Sequence, residues 1–311
     1  MPENRPSPAR PRRLPVANQA ALPRPTEVVL HRPTRLNRSL RVLRQNPLGA
    51  FGLMLILLLV VVGLLAPMLA PYGTNEFAGL PGQAPTMDFP FGTDKFGQDV
   101  FSRVIRGARI SLQVGFIAVA LGTLAGLLIG AWSGFKGGVV DVVAQRMVDT
   151  AIAFPQILFL LVIVRVMGPS MRNVIIAIAI LIIPSVARIV RSAALVERNN
   201  LYIEAARAMG ASDGRILLRH IVPNVAPIAI VVATTLLGGA ILAEASLSFL
   251  GLGIPPPNPS WGNDINVART TFPINVSAAL FPGLAISLTV LGFNLLGDAL
   301  RDIFDPRLRG R

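Results

Sequence analysis

LGAFGLMLILLLVVVGLLAPMLA, residues 48–70, carries no charged side chain over a length sufficient for an α-helix to cross roughly 30 Å of hydrocarbon. Its apolar residues form one continuous run, where a helix on a soluble core would show them only at helical spacing. Upstream, ten arginines face two glutamates before Asn46. Such a basic flank is held on the cytoplasmic side, so the run leads outward. The run begins only near Leu48 and further apolar runs follow it, which favours a retained first helix over a cleaved signal peptide. Residues 1–40, rich in proline and arginine and without apolar periodicity, read as a disordered basic cytoplasmic tail.

The whole chain agrees with a lipid-embedded reading. Mean hydropathy is +0.61, and only 14% of the 311 residues are charged, too few for an ordinary soluble domain. The net charge of +13 raises nucleic acid as a partner, but the excess lies mainly in the tail and few aromatics are present to stack bases. No nucleic-acid partner is therefore expected. With no cysteine and two histidines, His31 and His220, disulfides and thiolate metal sites are excluded.

Residues 41–311 divide into six predicted spans. After the first comes a polar, turn-rich external segment, 71–110, in which residues 98–109 suit a short interfacial helix. A second span covers Leu112–Ser133, with Gly122, Gly126 and Gly130 on one face, a spacing that lets two helices approach closely in lipid. Residues 134–149 are expected to return the chain at the inner surface. A third span runs from Thr150 to about Met167, kinked at Pro155, with Arg165 reaching for the outer surface. Val174 to about Ala187 forms the fourth, Val225 to about Ala243 the fifth and Ala278 to Leu296 the sixth. A second external segment, 250–277, contains Trp261 at an expected interfacial position. Six spans place both termini in the cytoplasm.

The cytoplasmic loop 188–224 holds six arginines and three acids and is too polar for lipid. Within it, YIEAARAMGASDGRILLRHIVPN (residues 202–224) reads as helix, turn, helix: helix formers to Met209, Gly210 for a left-handed end, Ser212 as a cap. Ala205, Ala206 and Ala208 leave a small surface for close packing. On these residues alone the element is either a plain connector or a docking site for a soluble partner.

Four stretches carry a family resemblance: GTDKFGQDVFSRVIRGARISLQVG from Gly92, EAARAMGASDGRILLRHIVPN from Glu204, EASLSFLGLGIPPPNPSWG from Glu244, and PGLAISLTVLGFNLLGDALRDIFDPRLR from Pro282. With the span order they cover nearly everything after the tail. The sequence resembles the inner-membrane permease subunits of binding-protein-dependent ABC importers, in particular the second permease of the dipeptide, oligopeptide and nickel branch. The resemblance implies an all-α integral membrane protein of six transmembrane helices with the ABC importer permease fold, in a bacterial inner membrane. It implies pairing with a homologous second permease, two ABC ATPase subunits that bind ATP and Mg, and a periplasmic binding protein delivering a short peptide. Nickel or another small solute is the alternative. The helix bearing Glu204, Ala205, Ala206 and Gly210 would sit in a groove on the ATPase, with Glu204 supplying a charge contact. His220 stands where the general family pattern has isoleucine, and with Pro223 would serve the loop's return to the membrane. Gln98 replaces the arginine usual among relatives, which is expected to weaken a local ion pair.

Glu244 and Asn294 are costly in hydrocarbon and are candidates for the translocation path or for polar contacts between helices. Asp94 and Asp99 suit caps or pairs with Arg103 or Arg109, with a contact to the binding protein as the alternative. Asp298, Arg301, Asp302 and Asp305 are spaced for pairing with one another at the inner surface. The sequence has no GxxxxGK[ST] loop, GxSxG elbow or HExxH helix, so no catalytic residue, bound metal or bound cofactor is assigned to this chain. A self-sufficient secondary transporter is the rival class; it would call for inverted repeats with broken helices, and none is visible.

Overall fold

In a computed structural model, residues 46–270 and 275–304 are described; the basic tail and Asp305 lie outside them. The uncharged first run forms α1 (Pro47–Leu64), opened by a proline whose fixed φ suits a first helical turn, and is followed by the short α2 (Ala66–Leu69). The other helices are α3 (Val100–Lys136), α4 (Gly138–Ala153), α5 (Gln156–Met167), α6 (Met171–Glu197), α7 (Leu201–Ala208), α8 (Asp213–Ile216), α9 (Val222–Phe249), α10 (Trp261–Ala268) and α11 (Ser277–Phe304). A π-helical turn, Leu217–Ile221, joins α8 to α9.

Among the described residues, five helical stretches are long and apolar enough to cross a membrane: α1, α3, α6, Asp213–Phe249 and Ser277–Ile303. A sixth arises if α4 and α5 count as one broken span. Their axes differ by 94°. The sequence suggests a kinked span starting at Thr150. Instead, helix runs from Gly138, stops at Phe154 in an extended conformation, and restarts after Pro155. A proline both lacks the N–H that would continue the ladder and disfavours helical backbone in the residue before it. Two ion pairs hold α4 to α6: Asp141 takes Arg191 in a bidentate contact at 2.5 Å, and Asp149 meets Arg188 at 2.5 Å.

The second span is likewise longer than its apolar run. Residues 100–109 are not a separate interfacial helix but the first turns of α3, which begins where the Asp99 carboxylate accepts from Ser102 N at 2.8 Å. Helix α3 lies along α6 through its glycine face. A Cβ on Gly122 would stand 2.7 Å from the Ala179 carbonyl oxygen, on Gly126 2.7 Å from Val186 Cβ, and on Gly130 2.4 Å from the Ala187 carbonyl oxygen. Backbones this close gain dispersion contacts that lipid cannot supply.

At the bundle end that carries residues 71–99 and 250–270, the connecting segments fold over the spans. Asp94 Oδ1 closes a turn by accepting from Phe96 N and Gln98 N. Asn275 Nδ2 donates to Thr93 O at 2.7 Å, and the Phe91 and Phe281 rings stack. Trp261 is not interfacial: it is fully buried, its Nε1 donates to Val104 O at 2.9 Å, and its ring lies where a Cβ on Gly107 would stand. The opposite end carries α7, α8 and the π turn.

Candidate coupling element and buried polar cluster

Helix α7 ends as its sequence dictates. Gly210 has φ +80°. Ala211 N then reaches back to Ala206 O at 3.0 Å and Gly210 N to Arg207 O at 2.9 Å, a paired closure of the last helical carbonyls. Ser212 occupies the start of α8, but its side chain makes no cap bond. The four residues of the coupling pattern divide by face. Ala206 is buried together with Ile203, packed into the chain's own core. Glu204, Ala205 and Gly210 are exposed. Around them Leu201 and Met209 are also exposed, at 81% and 82%, giving a small-residue face edged by two large apolar side chains and one carboxylate.

This face is tied to several spans at once. The Tyr202 hydroxyl donates to the Glu197 carboxylate at the end of α6. Asn224, in the first turn of α9, donates to Glu197 at 2.9 Å and to Tyr202 at 2.8 Å. Desolvation and the Glu197 carboxylate push the Tyr202 hydroxyl above its ordinary pKa, so it stays protonated and a donor. The His220 ring packs against Tyr202, centroids 5.9 Å apart. Pro223 opens α9 beside Asn224. On the other flank, Lys136 at the end of α3 meets Asp213 of α8 at 2.6 Å, and the Arg207 guanidinium lies over the Phe135 ring. Sequence reading did not single out Tyr202, Glu197 or Asn224. The only local signal was the spacing of Glu197 and Tyr202 across a helix break.

At the far end of α9, Glu244 is fully buried. Its Oε1 accepts from Ser248 and Ser260 at 2.8 Å each, and its Oε2 accepts from Ser111 at 3.1 Å. It forms no ion pair among the described residues. Three hydroxyls from α3, α9 and the 250–260 segment satisfy it, so one carboxyl joins three segments. Asn294 does not join this cluster; it is exposed on α11, with its Oδ1 facing Gly238 of α9.

The cation near this cluster is Arg103, paired with Asp264 of α10 through its Nε at 2.9 Å and through its terminal nitrogen. Gln98 Oε1 accepts from the same guanidinium at 2.6 Å. The expected weakening of a local pair is thus not seen: an amide oxygen adds an acceptor that an arginine at 98 would lack. Asp298, Arg301 and Asp302 are exposed and form no ion pair with one another. Among the described residues, no group of three or more Asp, Glu or His side chains has the geometry to hold a metal ion.

The polar helix-turn-helix is thus bonded to three spans of a helical membrane bundle, α6, α9 and α3, at one end. The chain belongs to the family of binding-protein-dependent transport system inner membrane components, whose profile matches residues 126–310. Residues 34–88 match the N-terminal transmembrane domain of oligopeptide transport permease C. It is 43% identical over 271 residues to the glutathione transport system permease protein GsiD of Pectobacterium atrosepticum, covering 86% of this chain and 90% of that one. To GsiD of Escherichia coli O1:K1 it is 42% identical over 301 residues, covering 96% and 98%. Among solved structures, a chain of the MetNI methionine ABC transporter in inward-facing form aligns with a TM-score of 0.53 and 21% identity, covering 65% of this chain and 97% of that one. A chain of an amino acid ABC transporter with histidines aligns at 0.50 and 19%, covering 67% and 95%. These two alignments establish the fold. The protein is a multi-pass inner-membrane permease subunit of a binding-protein-dependent ABC importer.

Proposed function

We propose that this chain forms half of the translocation path for a short peptide or peptide-like solute, and that α7 is the contact through which ATPase subunits drive it. The second half is a homologous permease, and a periplasmic binding protein delivers the solute at the end carrying residues 71–99 and 250–270. Both termini, with α7 and α8, lie in the cytoplasm. ATP and Mg are held by the two partner ATPases, so free energy enters this chain only as a mechanical bias between inward-facing and outward-facing states.

The observation that carries this reading is the exposed face of Glu204, Ala205 and Gly210 on a helix bonded to α6 and α9 through Tyr202, Glu197 and Asn224. A push on that face displaces two spans together. The peptide-like solute rests on the relatives named for glutathione, itself a modified tripeptide, and on the oligopeptide permease match of the first span.

The test is uptake by the complete transporter in proteoliposomes with its binding protein inside reach of the solute. Radiolabelled glutathione, dipeptides, longer peptides and nickel are offered singly and in competition. Saturable ATP-dependent uptake of a peptide-like solute is expected. Nickel uptake that no peptide competes with would overturn the solute class while leaving the coupling role standing.

A further inference from the structure

Arg106 and Arg109 stand three residues apart on α3, on one helical face, where like charges repel. Arg103, Arg188 and Arg191 each have a carboxylate partner; Arg106 and Arg109 have no ion pair among the described residues. Both line a cavity of about 230 Å³ together with Thr74, Gln113 and Asn258. Arg106 Nε donates to Tyr72 O at 3.2 Å, which fixes that guanidinium at the wall. No acidic side chain lines the cavity. Its two cations and three neutral hydrogen-bonding side chains are complementary to an anion.

Arg109 and Gln113 also line a second cavity of about 310 Å³, whose other walls are apolar: Val60 and Leu64 of α1, and Leu112, Phe116 and Ile117 of α3. Leu64, Phe116 and Ile117 are exposed on the flanks of the spans, so this space opens sideways at the level of the hydrocarbon. The backbone of Arg109 packs on Gly63, one residue from the end of α1, and a long cationic side chain near the end of a span is suited to reach the headgroups. A polar cationic chamber therefore sits above an apolar furrow that shares two of its residues.

We propose that this pair of cavities binds an anionic phospholipid from the leaflet at that end of the bundle, with the phosphate held by Arg106 and Arg109 and an acyl chain along α1 and α3. The occupant is an amphiphile because the two chambers differ in polarity and share Arg109 and Gln113 as walls. A lipid fits better than the transported solute because the apolar chamber opens on the lateral surface of the spans. The site joins α1 to α3 and so stabilises the seat of the first span.

The test uses the assembled transporter, purified in mild detergent and exposed to phosphatidylglycerol or phosphatidylcholine, with bound lipid counted by native mass spectrometry. Phosphatidylglycerol is expected to be retained by the wild type. Its retention falls about twenty-five-fold in the Arg106→Gln/Arg109→Gln variant, taking about a fivefold contribution per guanidinium near an anionic surface. Phosphatidylcholine retention changes less, and Arg106→Lys/Arg109→Lys keeps most of the phosphatidylglycerol, which separates lost charge from a misfolded variant. Equal phosphatidylglycerol retention by wild type and the glutamine variant would overturn the proposal. So would unchanged lipid retention accompanied by a raised KM for solutes with a free carboxylate but not for their amides, which would assign the arginines to the solute.

Discussion

Gly130→Ala tests the α3–α6 seam on which the bundle depends. The added methyl would stand 2.4 Å from the Ala187 carbonyl oxygen and 3.0 Å from that residue's carbonyl carbon and Cα. Ordinary contact begins near 3.4 Å, so the two helices must part locally by about 1 Å. The opposing atoms are backbone and no side chain can swing aside. Such overpacking costs about 1–3 kcal/mol. Alanine also gains about 1 kcal/mol of helix propensity over glycine, which would blur a single measurement. Gly239→Ala and Gly283→Ala remove that ambiguity, because a Cβ at either position meets nothing within 4 Å in this chain. All three variants share the propensity gain, and the difference between them isolates the overlap. Denaturant unfolding of the purified chain in detergent, followed by the fluorescence of Trp132 and buried Trp261, should place Gly130→Ala about 1–3 kcal/mol below the two comparators. Equal stability of all three would refute the close-packed seam.

Four further outcomes follow from particular contacts. Gly210→Val should cost about 1–2 kcal/mol through its positive φ, and Gly210→Asn less, because asparagine tolerates the left-handed region; substrate-stimulated ATP hydrolysis should fall in the same order. Glu204→Ala should lower uptake and ATPase stimulation while membrane abundance stays constant, since the side chain is exposed and makes no hydrogen bond or ion pair among the described residues; unchanged transport would remove it from the coupling contact. Tyr202→Phe keeps the ring on His220 but deletes the hydroxyl between Glu197 and Asn224, so ATP hydrolysis should continue with less uptake per ATP. Glu244→Leu strands three buried serine hydroxyls at about 1–3 kcal/mol each, whereas Glu244→Gln retains an acceptor oxygen; thermal inactivation should rank wild type, glutamine, leucine in order of falling stability.

The sequence made most of the spans legible because lipid imposes so simple a rule: a long run without charge. It misjudged their lengths where helices continue beyond lipid. Arg103, Arg106 and Arg109 look external, yet they lie on unbroken α3, since charge excludes a residue from hydrocarbon and not from a helix. Pro155 marked a break, but its 94° angle depends on Asp141 and Asp149 reaching α6, across 50 and 39 positions of sequence. In the coupling loop, Gly210 and the helix before it were readable from local propensity, while the inward turn of Ala206 depended on which face met the core. Of the three hydroxyls on Glu244, only Ser248 is a helical neighbour; Ser111 and Ser260 arrive from other segments. Trp261 illustrates the limit of a compositional rule: the ring suits an interface, but the space above Gly107 claims it.

The resulting mechanical picture has few parts. If α7 is the contact with the ATPases, as proposed, its movement would reach α6 and α9 through Glu197, Tyr202 and Asn224, and that of α8 would reach α3 through Lys136 and Asp213. The glycine seam makes α3 and α6 move as one body. At the other end, Glu244 gathers α3, α9 and the segment leading to α10, so on the proposed function a displacement from below would arrive there as a shift of joined elements.

The most direct test of the account is a reconstitution in which the second permease, both ATPases and the binding protein are held constant and only this chain is varied. Solute accumulation and ATP hydrolysis are measured with the wild-type chain, with Glu204→Ala and Tyr202→Phe variants, and without it. The account predicts ATP-dependent accumulation with the wild type, reduced uptake per ATP in both variants, and no transport without the chain. Solute transport by this chain alone in vesicles, without ATPases or ATP, would contradict it.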